Sequence, residues 1–194
     1  ILNTMENNKG TLFVISAPSG GGKTTLVNAI LAEKAPDERL ERVVTYTTKK
    51  PRKGEIEGQS YFFVDKADFE AKIEQGFFLE WSGTYGHYYG SPASVLTQLN
   101  AGTSLIMILD RAGARAVKDV YPDAILIWIK PPSIEELEKR LVGRGSDSAD
   151  SIKRRLGLAI EELKSEKTHP FFGFNVINDD FEKAKKALKT IFKK

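Results

Sequence analysis

The stretch TLFVISAPSGGGKTT, from Thr11 to Thr25, constrains this chain more than any other. An apolar run rich in β-branched and aromatic residues leads into Gly20, Gly21 and Gly22, and then into Lys23, Thr24 and an apolar-periodic segment. That spacing predicts a strand, a loop and a helix. Glycines without side chains let several backbone N–H groups converge on one anion, and the helix N-terminus adds partial positive charge. The run therefore reads as a phosphate-binding P-loop formed by Ala17, Pro18, Ser19, Gly20, Gly21, Gly22, Lys23, Thr24 and Thr25. Lys23 would reach the terminal phosphates of a nucleoside triphosphate, and the Thr24 hydroxyl would ligate Mg²⁺. Ala17 stands where the pattern G-x-x-x-x-G-K-[ST] asks for glycine. The competing reading is a glycine-rich turn that only packs a helix on a sheet, and the agreement of strand, glycines and Gly22-Lys23-Thr24 weighs against it.

Composition narrows the partners. A length of 194 residues suits one α/β domain with one or two insertions. No apolar run reaches the roughly 20 residues of a membrane span, and no secretory leader pattern opens the chain, so a cytoplasmic protein is the expectation. With no cysteine and two distant histidines there is no thiolate or zinc constellation, and any metal is expected to be a hard ion held by oxygens. The net charge of +3 is spread along the chain and forms no nucleic-acid stripe. Lys183, Lys185, Lys186 and Lys189 read as a solvated helix face.

After the helix from Thr24 to Lys34 the pattern changes. RVVTYT, YFFV and FFLEW are short alternating segments, separated by the polar loop KKPRKGEIEGQ and a helix from Asp65 to Gln75. They predict a mainly β insertion. Ser91-Pro92 reads as the start of a helix that Gly102 ends. Ser104 to Leu109 and Ala124 to Ile129 are buried strands flanking a helix from about Ala112 to Val120, which implies parallel pairing. Asp110, at the end of the first of these strands, matches the acidic element that helps hold Mg²⁺ in P-loop proteins. Ser133 and Glu136 form a capping box for IEELEKRLVGR, a second helix runs from Ser151 to about Ser165, and the strand FNVIN precedes a last helix from about Asp180.

A phosphate donor needs an acceptor pocket and something to exclude water. Arg140 and Arg144 lie four apart and share a helix face, suited either to a closing lid over transferred phosphate or to surface pairing with Glu136. Arg52, Tyr61 and Tyr89 offer a guanidinium and two hydroxyls for an acceptor phosphate. Glu80 follows three apolar residues. It is either an acceptor for the paired N1–H and NH₂ donors of a guanine edge, or a strand carboxylate paired with a lysine.

Five blocks in order, SAPSGGGKTT, TYTTKKPRKGEIEGQSYFFV, FLEWSGTYGHYYGS, IKPPSIEELEKRLVGRGSDS and NVINDD, resemble the guanylate kinase family over about residues 10–193. The resemblance implies a P-loop three-layer α/β fold with a parallel core sheet (10–41, 92–132 and 170–194), a GMP-binding insertion (42–91) and a helical lid (133–169), all in one domain spanning 10–194. It implies Mg²⁺-dependent transfer of the ATP γ-phosphoryl group to GMP, with dGMP as a further candidate acceptor. Carried over by position, Thr45, Glu80 and Ser91 match guanine contacts, and Arg52, Tyr61 and Tyr89 match acceptor-phosphate ligands. Asp110 falls on the GMP side. Lys23, Arg140, Arg144 and Arg155 match the catalytic cations, and Asn178 falls near the adenine of ATP. Two positions depart from the family pattern: Lys49 replaces an arginine on the GMP phosphate, and Ile108 replaces an acidic residue. Two other readings remain open, a non-catalytic phosphopeptide-binding module of guanylate kinase type and a small-molecule kinase with another phosphorylated acceptor.

Overall fold

The residues from Leu12 to Ser16 are all buried, and a strand apolar on both faces belongs at the centre of a parallel sheet. In the computed structural model, which describes residues 9–84, 86–143 and 148–194, this strand β1 is the middle of five. The sheet also contains β2 (Leu40–Arg42), β7 (Ser104–Ile108), β8 (Ile125–Lys130) and β9 (Phe174–Ile177), in the order β2-β7-β1-β8-β9. Pairing is parallel, with Leu40 opposite Ser104 and Ile127 opposite Phe174. A second sheet, β4-β3-β6-β5, is built from β3 (Tyr46–Thr47), β4 (Phe62–Phe63), β5 (Phe78–Thr84) and β6 (His87–Pro92). The helices are α1 (Lys23–Ala32), α2 (Lys66–Glu74), α3 (Val95–Asn100), α4 (Arg111–Val120), α5 (Ile134–Gly143), α6 (Ala149–Thr168) and α7 (Phe181–Ile191). This is the α/β fold with a parallel core sheet that the sequence implies.

Contacts gather the chain into two compact units. One comprises Pro36–Met107 with Ala112–Ala124 and the start of β1; the other comprises Val14–Ala35, Ile108–Arg111 and Ile125–Lys194. In the first, Phe69 of α2 is fully buried and stacks on Phe78 and Tyr88 at centroid distances of 4.5 and 5.3 Å. Phe77, Phe78 and Phe62 surround Tyr46. In the second, the buried faces of α1 and α7 are apolar, and Glu33 at the end of α1 is held by Lys185 and Lys189 of α7, both at 2.6 Å. Those two lysines are therefore not simply a solvated face.

Helix boundaries follow local chemistry where a cap is present. Asp65, Ser148 and Asp180 accept from the backbone N–H three residues on, starting α2, α6 and α7. The Ser133 hydroxyl accepts from Glu136 N at 3.1 Å, while the Glu136 carboxylate turns to Arg140, so only half of the expected capping box forms.

Two expectations need correction. Ser91 and Pro92 do not start a helix: β6 runs through Pro92, opposite Phe78, and α3 begins at Val95. The Ser91 hydroxyl is used across the strand pair by Glu80, and proline is tolerated as the last strand residue. RVVTYT is not one segment of the β insertion either. Arg42 ends β2 in the parallel sheet, Val43 N still donates to Ile106 O, and only Tyr46 and Thr47 join the second sheet.

Phe69→Ala should cost about 3–5 kcal/mol, because it empties a fully buried aromatic site whose neighbours are rings that cannot collapse far. The urea unfolding midpoint of the variant is expected to fall accordingly; an unchanged midpoint would contradict this packing.

Candidate functional site

The chain leaves β1 at Ser16 and must turn within a few residues to start α1 at Lys23. Gly20 and Gly22 make that turn with φ of 88° and 87°, in the left-handed region that glycine alone enters without penalty. Gly22 caps α1 with no side-chain hydrogen bond, and the first turn holds no acidic residue. The helix N-terminus thus keeps its N–H groups and partial positive charge for an anion. Lys23 Nζ donates to Ala17 O at 2.7 Å, across the loop. The contact is to backbone, so the alanine at the first position of the pattern keeps the group that matters, with its methyl buried.

The loop is supported from behind. Asn178, 6 % exposed just after β9, donates through Nδ2 to Gly21 O at 3.0 Å and from its own N to Lys130 O at 2.8 Å. A Cβ at Gly22 would lie 2.4 Å from this amide, so only glycine fits there. Arg140 Nη2 donates to Asn178 O and Nε to Glu136 Oε1, both at 3.0 Å. Leu137 and Leu141 of α5, both fully buried, pack against Gly20. Thr24 and Thr25 are exposed on the first turn of α1.

The same unit holds Asp110, half-buried after β7, and α6 with Arg155. Glu162 of α6 has its Oε2 buried with no hydrogen-bond partner among the described residues. Burial pushes its carboxyl up to about 7; Lys23 and Arg111 oppose the shift and Asp110 adds to it. Arg111 is clamped to Glu166.

The other unit gathers the residues expected around an acceptor. Ser91 Oγ donates to Glu80 Oε1 at 2.7 Å, and both residues are buried. Lys49, 7 % exposed, pairs with Glu55 and lies over the Tyr61 and Phe63 rings at 4.6 and 5.4 Å. Arg52 N donates to the same Glu55 oxygen at 2.8 Å. Burial pushes the Glu55 carboxyl up, yet the hydrogen bonds from Lys49 and Arg52 N, with their charges, outweigh it and hold it below its usual range. Tyr61 and Tyr89 meet edge to face at 6.2 Å, Thr45 is buried, and the Arg52 residue is exposed.

The structure therefore brings Ala17 to Thr25, Arg140 and Asn178 together, and separately Lys49, Arg52, Tyr61 and Tyr89, with Glu80 beside Ser91. Asp110 falls in the unit of the phosphate loop and not in the unit of Glu80. Arg144 lies outside the described residues. Sequence reasoning missed Glu55, Glu162, Arg111 and Glu166. Glu162 and Glu166 share the inward stripe of α6 with Arg155, seven and eleven residues on or about two and three turns, which was a readable signal.

A parallel sheet whose central strand runs into a glycine loop and a lysine-headed helix defines a P-loop nucleotide-binding protein. More narrowly, the chain belongs to the guanylate kinase family, whose model, described as "Guanylate kinase", matches residues 9–194. It is 45% identical to the guanylate kinase of Myxococcus xanthus over 183 residues, covering 94% of this chain and 85% of that one. Identity to that of Shewanella sp. (strain MR-7) is 42% over 186 residues, covering 95% and 87%. The crystal structure of guanylate kinase from Anaplasma phagocytophilum matches with a TM-score of 0.77 at 26% identity, covering 96% of this chain and 86% of that one. No helix among the described residues is long and apolar enough to cross a membrane.

Glu162 makes stability depend on pH. Its native value of about 7 exceeds the ordinary 4.5, so the folded state holds the proton more tightly and stability falls as pH rises from about 4.5 to about 7. Glu162→Gln has no proton to lose. Its Tm relative to the parent protein should therefore rise between pH 5 and pH 8 in calorimetry, and a pH-independent difference would contradict the assignment.

Proposed function

We propose that this protein transfers the γ-phosphoryl group of ATP to GMP, giving ADP and GDP, and that dGMP serves as a second acceptor. The observation that carries the reading is the buried pair Glu80 and Ser91. Ser91 fixes one carboxylate oxygen at 2.7 Å, which sets the plane of an acceptor suited to the two parallel donors of guanine. Adenine offers an acceptor at N1, which a carboxylate repels.

In this reading the triphosphate lies on the loop and the α1 N-terminus, and Lys23 exchanges Ala17 O for phosphate oxygens. The base of ATP lies toward Asn178. Among the described residues no group of three His, Cys, Asp or Glu could hold a metal alone, so Mg²⁺ fits as an ion carried by the triphosphate, with the exposed Thr24 hydroxyl as the protein's donor. Such an ion supplies charge neutralisation at the phosphates.

Lys49, Arg52, Tyr61 and Tyr89 hold the GMP phosphate, while Thr45 completes the acceptor side. An acceptor phosphate oxygen attacks the γ-phosphorus in line, and the bond to the β–γ bridging oxygen breaks as ADP leaves. Lys23, Arg140, Arg144 and Arg155 stabilise the charge that spreads over the transferring oxygens. Residues 42–91 serve as the acceptor insertion and 133–169 as the lid of one domain, acting in the cytoplasm. An intact lysine-headed loop favours this reading over a phosphopeptide-binding module.

A coupled assay with ATP and Mg²⁺ against GMP, dGMP, AMP, CMP and UMP tests it: GMP is expected to be preferred, and equal use of AMP, or no turnover at all, would overturn it. Glu80→Gln turns an acceptor into a donor facing the guanine edge, so discrimination between GMP and AMP should fall by roughly 10²-fold. Lys49→Ala should raise the KM for GMP strongly and leave that for ATP nearly unchanged, whereas Lys49→Arg should be tolerated. Unaltered GMP kinetics in Lys49→Ala would place the acceptor phosphate on Arg52 and the tyrosines alone.

A further inference from the structure

Arg111 is the first residue of α4 and directly follows Asp110. Its guanidinium is fully engaged with the C-terminal part of α6. Nη2 donates to Glu166 Oε2 at 2.9 Å and to His169 O at 3.0 Å, Nη1 to Ser165 Oγ at 2.9 Å, and Nε to Glu166 Oε2 at 3.3 Å. Glu166 is 4 % exposed, and its other oxygen accepts from Phe171 N and Phe172 N at 2.9 and 3.2 Å. Five donors thus converge on, or bind beside, one buried carboxylate. Such a network fixes orientation, because each bond has a narrow angular range.

The inward side of α6 shows what that orientation controls. Ile152, Arg155, Leu156, Ala159, Glu162, Leu163 and Glu166 are the less exposed positions, while Lys153, Arg154, Gly157, Leu158, Ile160 and Glu161 face out. Arg155 and Glu166 are therefore on one stripe, about three turns or roughly 16 Å apart. A 20° rotation of a helix whose side chains reach about 6 Å from the axis moves their ends by about 2 Å. A 1 Å misplacement of a catalytic group costs on the order of 10²-fold.

We propose that Arg111 and Glu166 are a positioning pair for phosphoryl transfer: they fasten the fixed end of α6 beside Asp110, set its rotation, and so aim Arg155 at the transferring phosphate. The inference rests on the kinase reading above, in which Arg155 is one of the catalytic cations. Glu162, between Arg155 and Glu166 on the same stripe, is the residue whose environment already includes Lys23, Asp110 and Arg111.

The pair predicts a split between kcat and KM. Arg111→Met alone leaves a buried carboxylate unpaired and endangers folding. The double variant Arg111→Met/Glu166→Gln removes both charges, and the glutamine oxygen still accepts from Phe171 and Phe172. In the folded double variant, kcat for ATP and GMP should fall at least 10-fold with both KM values within about twofold of the parent. Arg111→Lys keeps the charge but loses the fork, and should lie between the two in kcat. Parental kcat in either folded variant overturns the proposal, as does a loss confined to KM. Absence of GMP phosphorylation in the parent protein would instead refute the proposed function, so the two failures are distinct.

Discussion

Asn178 is the point on which the phosphate-loop unit turns. One buried residue donates its backbone N–H to the carbonyl at the end of β8, gives its side-chain amide to the loop at Gly21, and offers its carbonyl to Arg140 of α5. The left-handed residue Gly22 is pressed against that amide, closely enough that a methyl group would not fit. A glycine loop with three residues of wide conformational freedom has high entropy when unfolded. Fixing its shape by hydrogen bonds from a rigid sheet edge means that an arriving anion meets donors already in place, and the affinity is not lost to ordering the loop. The same three bonds also tie α5 to the loop, so the shape of one bears on the other.

Much of this architecture was legible because its signals are local. The P-loop is a run of neighbouring residues, and Asp65 and Asp180 announce helices through bonds only three residues long. The failures came where a long-range partner overrode a local signal. Ser91-Pro92 has the chemistry of a helix start, but Ser91 is claimed by Glu80 eleven residues away and the strand pairing runs on to Pro92. RVVTYT alternates like one strand, yet Arg42 and Tyr46 pair with different partners in different sheets.

The candidate site divides in the same way. Lys23, Arg140 and Glu80 were named from residue type and spacing alone. Glu55 sits in a polar loop with no periodicity, and nothing local shows that it would serve as counter-ion to a lysine tucked against two aromatic rings. Glu162 and Arg111 depend on burial and on charges brought from α1 and from the end of β7, which no window of sequence contains. Lys49 illustrates both cases: its departure from the family arginine was visible in the letters, and its enclosed position was not.

The junction of α1 with α7 acts on the loop from a distance. A carboxylate at the C-terminal end of a helix normally opposes the macrodipole, and Glu33 occupies that place. Lys185 and Lys189 bring two ammonium groups to the one carboxylate, and their hydrogen bonds hold Glu33 at a pKa of about 2, so it stays ionised and paired across the neutral range. Lys185 also binds Glu182, so the two lysines and two carboxylates balance, and the tail of α1 meets ammonium groups where its dipole favours them. With that end settled, α1 works as a polarised rod whose other pole, at Lys23, opens onto the glycine loop.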